Sequence, residues 1–114
     1  MYIYFRGESS LDSLAERLRE LLNIPPQNKS SYCRDQKRYG VNRGGEYYLF
    51  ETFGLELILI NNKGEVEMPE RADWPYYAVL QIYCDTDHQI IKTMAEHLAQ
   101  VARRAGLEAE VEDF

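Results

Sequence analysis

Two cysteines and two histidines are the residues of this 114-residue chain with the widest chemical repertoire. Cys33 lies in a basic segment, and neighbouring cations lower the pKa of a thiol and favour the nucleophilic thiolate. No general base stands beside Cys33 in the sequence, but the fold could bring a histidine to it, so a cysteine nucleophile stays an open alternative. Cys84 ends an apolar run, which predicts that it is a small, buried, apolar side chain. Without an export signal or a zinc-type spacing, both cysteines are predicted to be reduced thiols.

The histidines do not form a metal site with each other. His88 and His97 fall on one predicted helix, which separates them by about 13 Å at 1.5 Å of rise per residue. Asp85, Asp87 and His88 cluster where that helix begins, and we interpret them as capping and solvated residues. The sequence contains no phosphate-binding loop, nucleophile elbow, zinc-protease motif or Cys-x-x-Cys pair. We therefore predict no catalytic residues, no metal, no cofactor and no enzymatic activity.

Charge is distributed unevenly along the chain, which carries 19 acidic and 13 basic residues and a formal charge of −6. Residues 1–43 hold 8 basic and 5 acidic side chains, whereas residues 44–114 hold 5 basic and 14 acidic ones. One interpretation is solubility and protection of strand edges. The other is an acidic surface that attracts a basic protein, since complementary charge accelerates association and sets specificity. This second interpretation predicts partner-binding side chains at Glu65, Glu67, Glu70, Asp73, Trp74, Asp85 and Asp87.

The basic segment, residues 29–43, raises a different possibility, which is binding of single-stranded RNA. Cations interleaved with aromatic rings can pair with phosphates and stack on bases. Against this, the rest of the chain would repel phosphates, and Tyr48-Leu49-Phe50 lacks the glycine-aromatic pattern of small RNA-binding sheets. RNA binding is therefore the third hypothesis. The residues concerned are Lys29, Arg34, Lys37, Arg38 and Arg43, with Tyr32 and Tyr39.

The elements that position these residues follow from hydrophobic periodicity. Alternating or apolar runs predict strands at 1–6, 47–52, 55–60, 65–68, 76–83 and 107–111, with a hairpin turn at 61–64. Leucines on one stripe predict a helix that starts at a Ser9 cap and stops before Pro25-Pro26. A Thr86 cap starts the second helix, which ends at Gly106. Residues 24–45 show no sustained period and are predicted to be irregular.

This order predicts one α+β domain over residues 1–114. Each helix has a single apolar stripe, so both helices should lie on one face of a mostly antiparallel sheet. The result is a two-layer sandwich of order β-α-β-β-β-β-α-β, a variant of the ferredoxin-like split βαβ arrangement with an inserted hairpin.

The sheet face without helices is predicted to carry tyrosines. Tyr2, Tyr4, Tyr77 and Tyr83 point to that face, and tyrosine suits surfaces that are partly apolar and partly wet. The second functional hypothesis is therefore a homodimeric regulatory or ligand-sensing module that associates through these rings. The alternative is that the irregular segment covers the face.

The middle of the chain resembles a stretch of known proteins. It reads Gly54-Leu55-Glu56-Leu57-Ile58-Leu59-Ile60-Asn61-Asn62-Lys63-Gly64-Glu65-Val66, followed by Trp74-Pro75-Tyr76-Tyr77. With its size, acidity and element order, the whole chain resembles the small acidic immunity proteins of bacterial polymorphic toxin and contact-dependent growth inhibition systems. The resemblance implies a non-enzymatic protein that binds one cognate toxin tightly and blocks its active site or its partner surface. The acidity of the chain favours a basic toxin, such as a nuclease.

Targeting signals are not found. No run approaches the 18 apolar residues that would span a membrane. The first residues also lack the charged region and cleavage site of a signal peptide. We expect a cytoplasmic protein that has no membrane partner.

Overall fold

The described part of the chain contains six strands and two helices, with four of the strands between the helices. The computed structural model describes residues 1–30, 46–52, 54–62, 69–82 and 87–113. The elements are β1 (Tyr2–Arg6), α1 (Leu11–Leu22), β2 (Gln27–Ser30), β3 (Glu46–Thr52), β4 (Leu55–Asn61), β5 (Tyr76–Ile82), α2 (His88–Arg104) and β6 (Glu108–Glu112). A short 3₁₀ turn at Pro69–Arg71 precedes β5. The predicted α+β class and the order β-α-β-β-β-β-α-β are confirmed.

One sheet holds all six strands in the order β2-β3-β4-β5-β1-β6, and every neighbouring pair is antiparallel. Within it, β4-β5-β1-β6 with the two helices is the predicted split βαβ arrangement. The hairpin of β2 and β3 extends the sheet beyond β4. Residues 27–30, predicted as irregular, form β2. Their polar sequence has no strand pattern, and backbone pairing with β3 gives them the strand conformation. The predicted strand at 65–68 and residues 31–45 of the irregular segment lie outside the described residues.

Both helices pack on the same face of the sheet, as predicted. Leu14 and Leu18 of α1 are fully buried there, against sheet residues such as Ile3, Phe5 and Leu59. The buried strip of α2 consists mainly of alanines, at positions 95, 99 and 102. The apolar residue Ile90, in the first turn of α2, is half exposed.

The helix ends lie close to their predicted positions. Ser10, rather than Ser9, caps α1, and its Oγ accepts a hydrogen bond from the Ser13 backbone N–H at 3.0 Å. Asp87 caps α2 by accepting from the Gln89 N–H at 2.9 Å. The predicted cap Thr86 lies outside the described residues. Gly106 follows α2 with φ of +92°, a conformation that glycine adopts without strain.

The opposite face of the sheet holds a second buried cluster, where exposed tyrosines were predicted. Tyr4 is 1% exposed and Tyr77 4% exposed, and they pack with Ile58 and Ile60, whereas Tyr2 is half-buried. Among the described residues, no helix lies on this face. The expected exposure of Tyr4 and Tyr77 is therefore wrong, and Tyr83 lies outside the described residues.

Candidate functional site

A short segment between β4 and β5 is held against one face of the sheet by a buried side chain. The amide of Asn62, 1% exposed, donates to the backbone carbonyls of Arg71 (3.1 Å) and Trp74 (3.0 Å). The Asn62 backbone N–H donates to the carbonyl of Pro75 at 2.7 Å. Asn61 and Asn62 were predicted to turn the chain, but Asn61 pairs with Tyr76 inside the sheet. Asn62 instead fixes residues 69–75 over β1.

Trp74, predicted as an exposed anchor, is internal to this arrangement and only 7% exposed. Its ring lies 6.4 Å from the ring of Tyr4, centroid to centroid. The guanidinium carbon of Arg6 lies 4.2 Å from the Trp74 centroid, within the range of a cation–π contact. Trp74 therefore joins the 69–75 segment to β1 rather than offering its ring to a partner.

The alternation of β6 gathers acidic side chains beside this segment. Ala109 and Val111 pack in the core under the helices, so the glutamates between them point to the other face. We define the acidic surface as the carboxylates of this strand and of the 69–75 segment. Its members are Glu70, Asp73, Glu108, Glu110 and Glu112.

Two arginines hold the acidic surface together. Arg71 lies 2.8 Å from a Glu110 oxygen and 3.4 Å from a Glu112 oxygen. Arg6 pairs with Glu108 and lies 3.4 Å from an oxygen of Asp73. With Glu70, which precedes Arg71 in the sequence, the surface holds five carboxylates and two guanidiniums, so its formal charge is −3. The four paired carboxylates are 41–72% exposed, so they can meet a partner.

Tyr4 connects the acidic surface to the second buried cluster. Its hydroxyl donates to Glu112 at 2.5 Å, and the guanidinium carbon of Arg71 lies 4.8 Å from its ring centroid. Burial, followed by the hydrogen bond to Glu112, raises the pKa of Tyr4. The phenol therefore stays protonated and orients the Glu112 carboxylate.

Only some of the predicted partner-binding residues come together. Glu70 and Asp73 belong to the acidic surface, and both are exposed. Asp87 is also exposed, but it caps α2. Glu65, Glu67 and Asp85 lie outside the described residues. The predictions missed Arg6 and Arg71 as organisers, because their pairing depends on register and on the path of residues 69–75.

The chemically versatile residues do not assemble into a catalytic group in the part of the chain that the structure describes. His88 contacts Asp113, with 2.9 Å between Nε2 and Oδ2, and this contact lowers the pKa of Asp113. Within the same residues, no three metal-ligating side chains lie together. Cys33, Cys84 and the cations of the proposed RNA site other than Lys29 lie outside them.

Comparison with known proteins leaves the site to be interpreted from its geometry. No protein-family model matches the sequence, and a search of curated proteins gives no match. No helix within the described ranges is long and apolar enough to cross a membrane.

Proposed function

We propose that this chain is a non-enzymatic protein-binding protein that contacts a basic partner through its acidic surface. The observation that carries the proposal is the convergence of four exposed carboxylates on Arg6 and Arg71, beside the exposed Glu70, on a surface with a formal charge of −3. Such a surface attracts a positively charged protein and raises the rate of encounter.

The arginines support this function by ordering the carboxylates in advance. Arg6 and Arg71 each bridge β6 to the 69–75 segment, so four carboxylates are held before any partner arrives. Ordering long side chains costs roughly 0.5–1.5 kcal/mol for each one that binding immobilises. A surface that is already ordered avoids part of this cost.

In its specific form, the proposal is neutralisation of a toxin. The acidity of the chain and its resemblance to immunity proteins favour a cognate bacterial toxin as the partner. A nuclease fits the charge, because the site that binds a phosphate backbone is positive. A row of carboxylates can occupy such a site in place of phosphates.

Capture from the native lysate tests the proposal. The tagged protein is immobilised and washed in low and in moderate salt, and bound proteins are identified by mass spectrometry. We expect one basic protein at an equimolar ratio. Recovery of nothing, or only of further copies of the chain, would contradict the proposal.

The homodimer hypothesis predicts a stable dimer in analytical ultracentrifugation, whereas the proposed function predicts a monomer. The hypothesis proposes four tyrosines as anchors of the dimer. Tyr4 and Tyr77 are buried within the chain, Tyr2 is half-buried, and Tyr83 lies outside the described residues. A monomer in analytical ultracentrifugation at micromolar concentration agrees with the proposed function. A stable dimer would favour self-association.

A further inference from the structure

An apolar cleft opens on the helix side of the sheet, on the face opposite the glutamates of β6. It lies between the C-terminal end of α1 and the side of α2, and strands β3, β4 and β5 form its floor. Its volume is about 550 Å³, and sites for small ligands commonly span about 300–1,000 Å³. Phe50, Leu57 and Leu80 face it from the sheet, and Leu21 and Leu22 from α1.

Apolar residues of α2 line part of the cleft. Small alanines form the strip of α2 that faces the sheet, and they let the helix approach closely. Met94, Leu98 and Val101 lie on the adjacent strip and line the cleft, where Met94 and Val101 remain partly exposed. Contact of these side chains with water is unfavourable in proportion to their exposed apolar area. An apolar ligand would remove that contact.

One wall of the cleft is polar. Thr93 and His97 line the cleft and also line a second hollow of about 320 Å³ on the outer side of α2. The Thr93 hydroxyl donates to the Gln89 carbonyl at 2.8 Å, so its oxygen remains available only as an acceptor. A ligand that lies along this wall therefore meets a hydrogen-bond acceptor, and His97 beside it can donate or accept.

The second hollow favours neither sign of charge. Lys92 and Glu96 both line it, together with Gln89 and Gln100. A charged head is attracted by one of these two side chains and repelled by the other, so little electrostatic gain offsets its loss of hydration. An uncharged head that donates and accepts hydrogen bonds avoids that loss.

From these features we propose that the cleft binds a small amphiphile with an apolar body and one uncharged hydrogen-bonding head, such as a medium-chain alcohol. The body lies between Leu22 and Met94, and the head reaches Thr93 and His97. This site is separate from the acidic surface, so its occupancy and partner capture can succeed or fail independently.

Displacement of a neutral fluorescent probe tests the class of ligand. N-phenyl-1-naphthylamine is bound to the whole chain and then displaced with 1-decanol, decanoate or decyltrimethylammonium below their aggregation concentrations. We expect saturable binding of one probe per chain and strongest displacement by 1-decanol. Unsaturable probe binding, or stronger displacement by either charged amphiphile, would overturn the proposal.

A matched pair of substitutions on α2 locates the site. Met94→Gln places an amide in the cleft, and Ile90→Gln makes a similar change at a half-exposed residue that does not line it. We expect Met94→Gln to weaken binding of 1-decanol roughly tenfold, because about 1.4 kcal/mol of apolar contact corresponds to that factor. Ile90→Gln should leave the affinity unchanged. Equal weakening by both variants would contradict a site in the cleft.

Methyl NMR of the unsubstituted chain makes the test independent of how the variants fold. Addition of 1-decanol should shift the methyl resonances of Leu22, Leu98 and Val101. Those of Ile58 and Val79, in the second buried cluster, should stay in place. Shifts confined to the second cluster would show that the ligand binds elsewhere and would overturn the proposal.

Discussion

Asn62 is the residue on which the position of the acidic surface depends most directly. Its buried amide satisfies two carbonyls of the 69–75 segment, which carries Asp73 and Arg71. Asn62→Ala should lower the free energy of unfolding by about 2–3 kcal/mol, since it leaves buried carbonyls without donors and creates a cavity. Urea denaturation checks this value, with Asn28→Ala on the exposed edge strand as the control. A loss below about 0.5 kcal/mol for Asn62→Ala would contradict the anchoring role.

Tyr4 provides a pH-dependent test of the same region. Its pKa is raised by burial and by the Glu112 hydrogen bond, while an unfolded tyrosine ionises near pH 10. Above about pH 10 the native state therefore holds a proton that the unfolded state loses, so stability falls as pH rises. Tyr4→Phe should make this fall shallower, as measured by urea unfolding between pH 8 and 11. Parallel slopes for the two proteins would contradict the assignment.

Arg71 should stabilise the acidic surface chiefly by electrostatic attraction. Arg71→Gln removes the cation from Glu110 and Glu112 and should destabilise the protein by about 1 kcal/mol at low salt. Salt screens both the attraction between Arg71 and the two glutamates and the repulsion between the glutamates that remains without it. The difference in stability between the two proteins should therefore shrink in 1 M NaCl. Arg19→Gln, at the surface pair with Glu16 on α1, is the matched control and should change stability little. A loss that is independent of salt would indicate packing rather than charge.

The elements were largely predictable because their patterns are local. The alternation of 107–111 and the leucine stripe of α1 each repeat with the period of one type of structure. Strand β2 was not predictable in this way, because Gln27–Ser30 owes its conformation to pairing with β3. The cleft was also missed, since it arises from the distance between two helices and not from a motif in either of them.

The sheet faces were assigned correctly, but exposure was not. Alternation in β1 does place Tyr2 and Tyr4 opposite Ile3 and Phe5. Periodicity says which residues share a face, but it cannot say that the 69–75 segment covers part of that face. Trp74 was taken as exposed for the same reason, because its contacts with Tyr4 and Arg6 join residues that are far apart in the sequence.

The cap of α1 is the prediction that belongs to the scale of elements. Ser10 satisfies the Ser13 N–H at the start of the helix, so Ser10→Ala should cost about 1 kcal/mol of stability. Ser10→Asp should retain most of it, because aspartate also caps well and complements the helix dipole. Thermal or urea unfolding of the two variants checks the assignment. Equal losses for alanine and aspartate would show that the cap is not at Ser10.

At the scale of the whole molecule, the fold separates two kinds of surface. The 69–75 segment and β6 form an acidic surface at one edge of the sheet, and the cleft faces away from it between the helices. The acidic surface and the apolar cleft therefore lie on different parts of the molecule. A protein partner at the acidic surface and a small amphiphile in the cleft would not compete for the same residues.

The most direct test of the central claim is partner capture by two chains with the same change of charge. Glu70→Lys reverses an exposed charge of the acidic surface, and Glu20→Lys makes the same reversal on the exposed side of α1. We predict that Glu70→Lys weakens binding of the captured basic protein at low salt by about tenfold or more, because like charges then face each other. Glu20→Lys should bind like the unmodified chain. Equal binding by both variants, or a greater loss with Glu20→Lys, would contradict the account.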